Sequence, residues 1–429
     1  MSNRIKINRR SAAVVTTVGT AMLLATFAGS ANAVTTTTPQ APAKPVVACA
    51  PQDGVTPTTI TIGFISPKTG AAAANFAGAE QAARLRIDKE NAKGGLFGRK
   101  IKLIGYDDQA NGSIQTQVAN QALQQDRVFG IVLASAADSM MPYLKQNNVP
   151  VTGFNVLALA TDRNTFGITG PTVPGVVSTA PLERLKAAGV TKAAFIAHST
   201  PGAVNSIKSI AGAVPLSGTG ITNGITILDE AQGAHDATTT ALRLKAAGVD
   251  GSYESMFVDG GISIAQALSQ QGVKLKANYL VGLSDPSVIA KAAGPLEGMI
   301  GSTYGTTPAG VPGKPGVRTF VNGMKAAGLN PYTAIAPVGY AATDLMITGL
   351  KKAGKCPTRS SFINNLRKVT NYTANGMLPV PTSFAPGVTP MGSPTKCTWF
   401  LTVKGGVPVP DKAVTCGRLV DTVNNRIVG

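Results

Sequence analysis

Along residues 58–108 the spacing of apolar positions changes twice. Ile60, Ile62 and Phe64 alternate with other residues at the period of a strand. A Pro-Lys-Thr-Gly loop follows, and then Phe76, Ala79, Ala83 and Ile87 recur at helical spacing. After a Gly-rich turn, Ile101, Leu103 and Ile104 open a second strand. Strand, helix and strand in this order predict a βαβ unit, which requires parallel pairing.

The alternation continues. Ile114, Val118 and Ala122 predict a helix, Val128–Leu133 a buried strand, and Ala134–Ser139 a loop into a helix near Met140. Val149–Thr152 and Phe166–Thr169 are further strands. At Gly170-Pro171-Thr172 the composition shifts and a second series begins, with strands at Ala193–Ala197, Ile225–Leu228, Ser255–Val258 and Tyr279–Gly282. Helices are expected between them at Gly202–Ala213, Ala237–Ala247 (Asp236 as N-cap) and Ile262–Gln271. Three more helical stretches, Val317–Ala327, Pro337–Ala353 and Ser360–Val369, precede a hairpin of Thr398–Val403 and Val407–Val414.

Repeated βα units make parallel sheets covered on both faces, so the fold class is α/β with two lobes. Helices that arrive after the second series predict a chain that returns to the first lobe. The expected division is 58–172 with 304–376, against 173–303 with 377–429 and its terminal hairpin.

The amino terminus is a separate matter. Arg4, Lys6, Arg9 and Arg10 precede an apolar run from Ala12 to Ala28 and the small-residue site Ala31-Asn32-Ala33, so 1–33 reads as a cleaved secretory signal. Arg9-Arg10 leaves general secretion and twin-arginine export both open. Residues 34–57 read as a disordered Thr/Pro/Ala-rich spacer. The chain is therefore expected outside the cytoplasm, in the periplasm, envelope or medium.

Export changes the meaning of the four cysteines, for which disulfides become the default, with three connectivities. Cys397 and Cys416 flank the hairpin and are the favoured pair, worth about 3 kcal/mol for so short a loop. Cys49 and Cys356 are then left to each other. Val46-Val47-Ala48-Cys49 also resembles a lipobox, which would place a lipid on Cys49. No Cys or His spacing suits zinc or another metal, and no cofactor is expected. The net charge of +18 does not imply nucleic acid, because basic residues are scattered among acids and aromatics are only 5% of the chain.

The block Ile60-x-Ile62-Gly63, Pro67-x-Thr69-Gly70, Gly78-x-Glu80, Asn91-x-x-Gly94-Gly95-x-x-Gly98-Arg99-Lys100 and Asp107-Asp108 resembles the leucine/isoleucine/valine-binding family of type I solute-binding proteins of ABC importers. Weaker similarity runs through Val149-Pro150-Val151, Leu244–Gly248, Leu296-Glu297-Gly298 and Tyr340-x-x-x-Asp344. The resemblance implies two Rossmann-like lobes, a three-segment hinge, and a monomer that closes on a small polar solute (an amino acid, amide or small organic acid) and hands it to permease subunits at the membrane. An envelope sensor with the same clamp, or a secreted hydrolase or amidase, are the alternatives.

Ligands of parallel sheets collect outside the carboxyl ends of the strands, which selects the candidate contacts. In the first lobe these are Ser135 and Ala136 after a buried strand, Phe154 and Asn155 after the next, and Lys68 after the first. Ser135 stands where the family holds a ligand carboxylate. In the second lobe they are His198 and Ser199, Asp259 and Gly260, and Ser284 and Asp285. Amino-acid-binding relatives carry tyrosines at two of these loops and a glutamate at the third. This chain lacks those tyrosines, and Asp259 or Asp285 is left as partner for an ammonium. Asp285 precedes Pro286 and suits a helix cap equally well. Enzyme readings have little support, because the chain has neither a Gly-x-Ser-x-Gly elbow nor a phosphate-binding loop, and only two histidines. Asp107-Asp108 is expected to order its loop.

Overall fold

The structure is a computed structural model that describes residues 49–70, 72–155, 159 and 161–429. The signal at 1–33, the spacer up to residue 48 and the side chain of Asn155 lie outside the described residues.

In the first lobe β1 (Thr59–Ser66), α1 (Ala73–Phe76), α2 (Ala79–Ala92), β2 (Lys100–Asp107), α3 (Gly112–Asn120), β3 (Ile131–Ser135), α4 (Met141–Gln146), β4 (Val151–Asn155) and β5 (Thr165–Gly167) follow in sequence. Their strands form one parallel sheet in the order β2-β1-β3-β4-β5. Alternation explains why it is covered twice. Ile60, Ile62 and Phe64 pack with Ala79, Ala83 and Ile87 of α2, while Ile65 joins Tyr106, Leu133 and Leu144 on the other face.

The second lobe contains β6 (Val176–Ser178), α5 (Ala180–Ala187), β7 (Lys192–His198), α6 (Pro201–Ser217), β8 (Thr222–Glu230), α7 (Thr238–Ala247), β9 (Gly251–Ser255), α8 (Val258–Gln270), β10 (Ala277–Val281), α9 (Pro286–Ile289), α10 (Ala293–Leu296) and β11 (Ile300–Ser302). Strands β8-β7-β9-β10-β11 are parallel neighbours. One departure from the sequence expectation bears on the site: β9 ends at Ser255, where the strand was expected to begin. Its polar Ser252 and Glu254 are fully buried, so the strand lacks the apolar run that marks its neighbours. The shift puts Asp259 and Gly260 in the first turn of α8 rather than in a loop.

The chain then returns. α11 (Pro315–Ala326), α12 (Ala336–Ala353) and α13 (Arg359–Leu366) pack with the first lobe, and Val338, Ala342, Leu345 and Phe362 join the core of β1 and α2. Arg86 of α2 donates to Asp344 of α12 at 2.7 Å, a buried tie whose third member is Glu90, 3.0 Å from Arg86. Met377, Leu378 and Phe384 belong to the same core, so the return extends past residue 376.

The carboxyl end comprises β12 (Cys397–Thr398), β13 (Phe400–Lys404), β14 (Val407–Pro410), β15 (Thr415–Cys416), β16 (Leu419–Asp421) and β17 (Arg426–Ile427). β13 extends the second sheet antiparallel to β11 and β14 pairs antiparallel with β13, the two joined by Gly405-Gly406 with φ of 59° and 74°. Only a two-residue turn with both φ positive fits there, which glycine adopts without cost. β16 pairs with β6.

Cys397 is bonded to Cys416 and Cys49 to Cys356. Cys49 thus has no free thiol for a lipid. Its disulfide also anchors the end of the segment assigned to the spacer. Arg99 donates to the Thr56 carbonyl at 2.8 Å and Thr61 N–H to that of Gly54 at 2.7 Å, so residues 49–57 are part of the first lobe.

Candidate functional site

Three crossovers join the lobes, and they run side by side. Thr395 N–H donates to the Thr169 carbonyl at 2.8 Å, and Gly305 lies so close to Thr169 that an added Cβ would stand 2.2 Å from its Cγ2. Gly305 has φ +74°, a second reason for glycine at this crossing. Above these residues is a cavity of about 360 Å³ lined from both lobes. A second cavity of about 480 Å³ lies between Ser284, Thr307, Phe320, Tyr332 and Pro410. The first is the candidate site, because it sits over the crossovers at the carboxyl ends of both parallel sheets.

Of the residues expected there, Ala136, Phe154 and His198 are on the wall. Ala136 follows β3, and Phe154, on β4, packs its ring 5.2 Å from that of Tyr304 on the central crossover. His198 closes β7 with its ring 4.4 Å from Phe257, and its Nδ1 accepts the Phe257 N–H at 3.1 Å. Burial pushes the imidazole pKa down to about 4, with Asp259 opposing the shift. At neutral pH the ring is uncharged, and with Nδ1 accepting, its hydrogen is on Nε2.

The other candidates lie elsewhere. The Ser135 hydroxyl is fully buried and donates to Asp108, while its oxygen accepts the Ala137 N–H. Burial raises the pKa of Asp108, which also takes the Gln115 amide, and Asp107 holds Lys68 N–H, Thr69 and Gln109 N–H; both carboxylates order loops. Lys68 pairs with Glu80 at 2.6 Å, away from the cavity. Asn155 pairs by its backbone with Ser135. Ser199 is exposed, its N–H bonded to the Glu230 carbonyl. Asp259 is exposed and accepts the Gly260 N–H, while Gly260 is buried against Met256. Ser284 donates to the Tyr332 carbonyl at 3.0 Å. Asp285 caps α9 through Ser287 N–H and accepts from Asn330 at 2.6 Å, so this pair connects the lobes beside the second cavity.

Sequence reasoning missed the tyrosines. Tyr253 of β9 and Tyr279 of β10 meet edge to face at 5.0 Å, and both line the cavity with Tyr304. The Tyr279 hydroxyl is 2.7 Å from Ser302 Oγ. Burial raises all three phenols, Tyr304 to about 12, so each stays neutral. Tyr279 was within an expected strand, and its outward reach from the strand body is what a search confined to loops overlooks. Phe76, Phe257, Met256 and Ile335 supply further apolar wall, and Thr200, Ser206 and Thr303 supply hydroxyls. Among the described residues, no group of three His, Cys, Asp or Glu side chains is placed to hold a metal. No helix among the described residues is long and apolar enough to cross a membrane.

Comparison with known proteins fits this geometry. No curated protein matches the chain. Solved structures share its fold. A branched-chain amino acid ABC transporter protein from Thermus thermophilus with bound valine has 16% identity and a TM-score of 0.71, over 84% of this chain and 97% of that one. A fatty acid ABC transporter substrate-binding protein from Thermomonospora curvata has 18% identity and a TM-score of 0.71, over 89% and 97%. A solute-binding protein of an ABC transporter from R. palustris, in complex with benzoate, has 15% identity and a TM-score of 0.67, over 84% and 97%. At these identities the likeness is one of fold. The profile of the family described as periplasmic binding protein matches residues 59–407, most of the sequence, and the chain belongs to that family.

Proposed function

We propose that this protein is the exported receptor of an ABC importer, which captures a small organic solute between its lobes and presents the closed form to permease subunits at the membrane. The observation that carries this reading is the cavity over the three crossovers, walled by strand ends of both sheets. A guest held by both walls stabilises the closed arrangement by its differential affinity for it, and the hinge converts that into a shape the permease can read. Ala136, Phe154 and His198, with Tyr253, Tyr279 and Tyr304, are the proposed contacts. The relatives of known structure support a receptor role, and their different ligands (valine, a fatty acid, benzoate) show that the fold alone does not select the solute. Binding requires no turnover, and the His198 Nδ1 that would serve as base already accepts a backbone N–H. The proposed location is the periplasm or cell envelope.

A thermal-shift screen over amino acids, amides and small organic acids tests the reading. A ligand at a hundredfold its Kd raises stability by about 2.7 kcal/mol, while its concentration in solution stays constant over time. Consumption of the ligand, or stabilisation by none of them, would sink the proposal.

A further inference from the structure

We infer that the cavity selects an uncharged ring compound with a hydrogen-bond acceptor at its edge, and that it rejects α-amino acids and amines. The inference rests on the receptor reading and narrows it to a substrate class.

Among the described residues, the wall contains no Asp, Glu, Lys or Arg. Its titratable groups are His198 and three tyrosines, all neutral at pH 7 for the reasons of burial given above. An ammonium brought into this space loses its hydration and finds no carboxylate, since Asp259 is exposed and its oxygen takes the Gly260 N–H. Aromatic rings can cage a cation when their faces converge on one point. Here they are spent on one another: Tyr253 on Tyr279, Phe154 on Tyr304, and Phe257 on His198. The amino end of the 17-residue helix α6 also abuts the cavity through Thr200, Gly202 and Ala203, and its partial positive charge opposes a cation.

A free carboxylate fits no better. Pro201 has no N–H, and the Ala203 N–H is taken by the Thr200 hydroxyl, which leaves the Gly202 N–H as the donor of that turn on the wall. With His198 Nε2–H, this offers donors suited to one neutral carbonyl or hydroxyl oxygen, without the lysine or arginine that desolvating an anion demands. The remaining wall is ring and methyl interspersed with neutral polar groups, the Asn75 amide and the hydroxyls of serines and threonines such as Ser206 and Thr303. At about 30 Å³ per water, 360 Å³ is the space of about a dozen waters, enough for a single ring with a short side arm.

The test is a set of phenyl, cyclohexyl and indolyl frames, each offered in four charge states: the 3-substituted propionamide, the propionate, the ethylamine and the α-amino acid. Binding to the chain without its signal is measured by calorimetry at pH 7. The expected result is that, within the frame that binds best, the amide has a Kd lower than its amine and amino acid by about a hundredfold and lower than its acid by about tenfold. An amino acid or amine that binds as tightly as its amide overturns the substrate class and leaves the receptor reading in place. A propionate tighter than its amide does the same. If no frame binds in any charge state, the ring class is overturned, and the receptor reading is then decided by the wider thermal-shift screen alone.

Discussion

Glu254 is the most direct test of how burial governs this protein. It lies in the middle of the second sheet with no solvent exposure. Ser252 Oγ donates to its Oε1 at 2.7 Å, and Oε2 has no partner. Burial, less the Ser252 bond and with a smaller push from Glu230, raises its pKa to about 7. Between pH 4.5 and 7 the folded chain therefore holds a proton that the unfolded chain has lost, and stability falls as pH rises through that window. At about 1.4 kcal/mol per unit, the whole effect is about 3 kcal/mol. His198 acts in the opposite sense. Its pKa drops from 6.5 to about 4 on folding, so its contribution is lost as pH falls through the same region. From pH 4.5 to 6.5 these two contributions oppose each other, and substitution separates them. Glu254→Gln keeps the shape and the Ser252 bond but cannot ionise. The variant is expected to match wild type near pH 4 and to exceed it by about 3 kcal/mol at pH 8. With about 2.1 cal/mol/K of unfolding entropy per residue over roughly 380 residues, this is a rise in Tm of about 4 °C. Scanning calorimetry of both proteins from pH 4 to 8 measures the difference directly. A gap that stays constant with pH would show that Glu254 is charged in the fold, and the reasoning from burial would fail.

Three further outcomes follow from the geometry. Replacing Cys49 and Cys356 by Ser opens a loop with a separation of 307 residues and is expected to cost up to about 5 kcal/mol, against about 3 kcal/mol for Cys397 and Cys416 with a separation of 19; equal losses in denaturant titrations would contradict the loop-length argument. Gly305→Ala forces a Cβ against Thr169 at a positive φ, with an expected loss of about 1–3 kcal/mol and altered lobe closure by small-angle scattering; an unchanged Tm and scattering profile would mean the crossover has room to give. Asp285→Ala removes the cap of α9 and the bond to Asn330, so about 1–2 kcal/mol of stability goes while ligand Kd moves less than about threefold; a tenfold loss of affinity would place Asp285 at the ligand after all.

The fold was legible wherever burial was one-sided or completely apolar. Ile60, Ile62 and Phe64 alternate because one face of β1 meets α2, and the helices after residue 314 carry their apolar stripe because they cover the first sheet. The lobe to which those helices return follows from chain economy rather than from their own residues. β9 was misplaced because its sequence, Gly251-Ser252-Tyr253-Glu254-Ser255, buries polar side chains that bond to each other within the strand, Ser252 to Glu254, and so lacks an apolar run. No local pattern encodes a carboxylate whose pKa burial raises inside a sheet; the sheet around it does.

The candidate site was legible to a lesser degree, for a related reason. Reading loops at strand ends found Ala136, Phe154 and His198 because those residues terminate or follow strands. It also selected Ser135 and Asp285, whose oxygen atoms are engaged with Asp108, and with Ser287 and Asn330. Polar residues at strand ends serve loop order and capping as readily as ligands, and only hydrogen-bond partners distinguish the two uses. The tyrosines reach the cavity from strand bodies, and they change its meaning. A pocket read as loops with Asp259 and Asp285 invites an ammonium, whereas the wall formed by Tyr253, Tyr279 and Tyr304 offers it nothing but neutral oxygen and ring edge. The identity of the solute therefore turns on which side chains the second sheet points inward. A displacement of four residues in one strand is enough to change the inferred guest from one with an ammonium to an uncharged one.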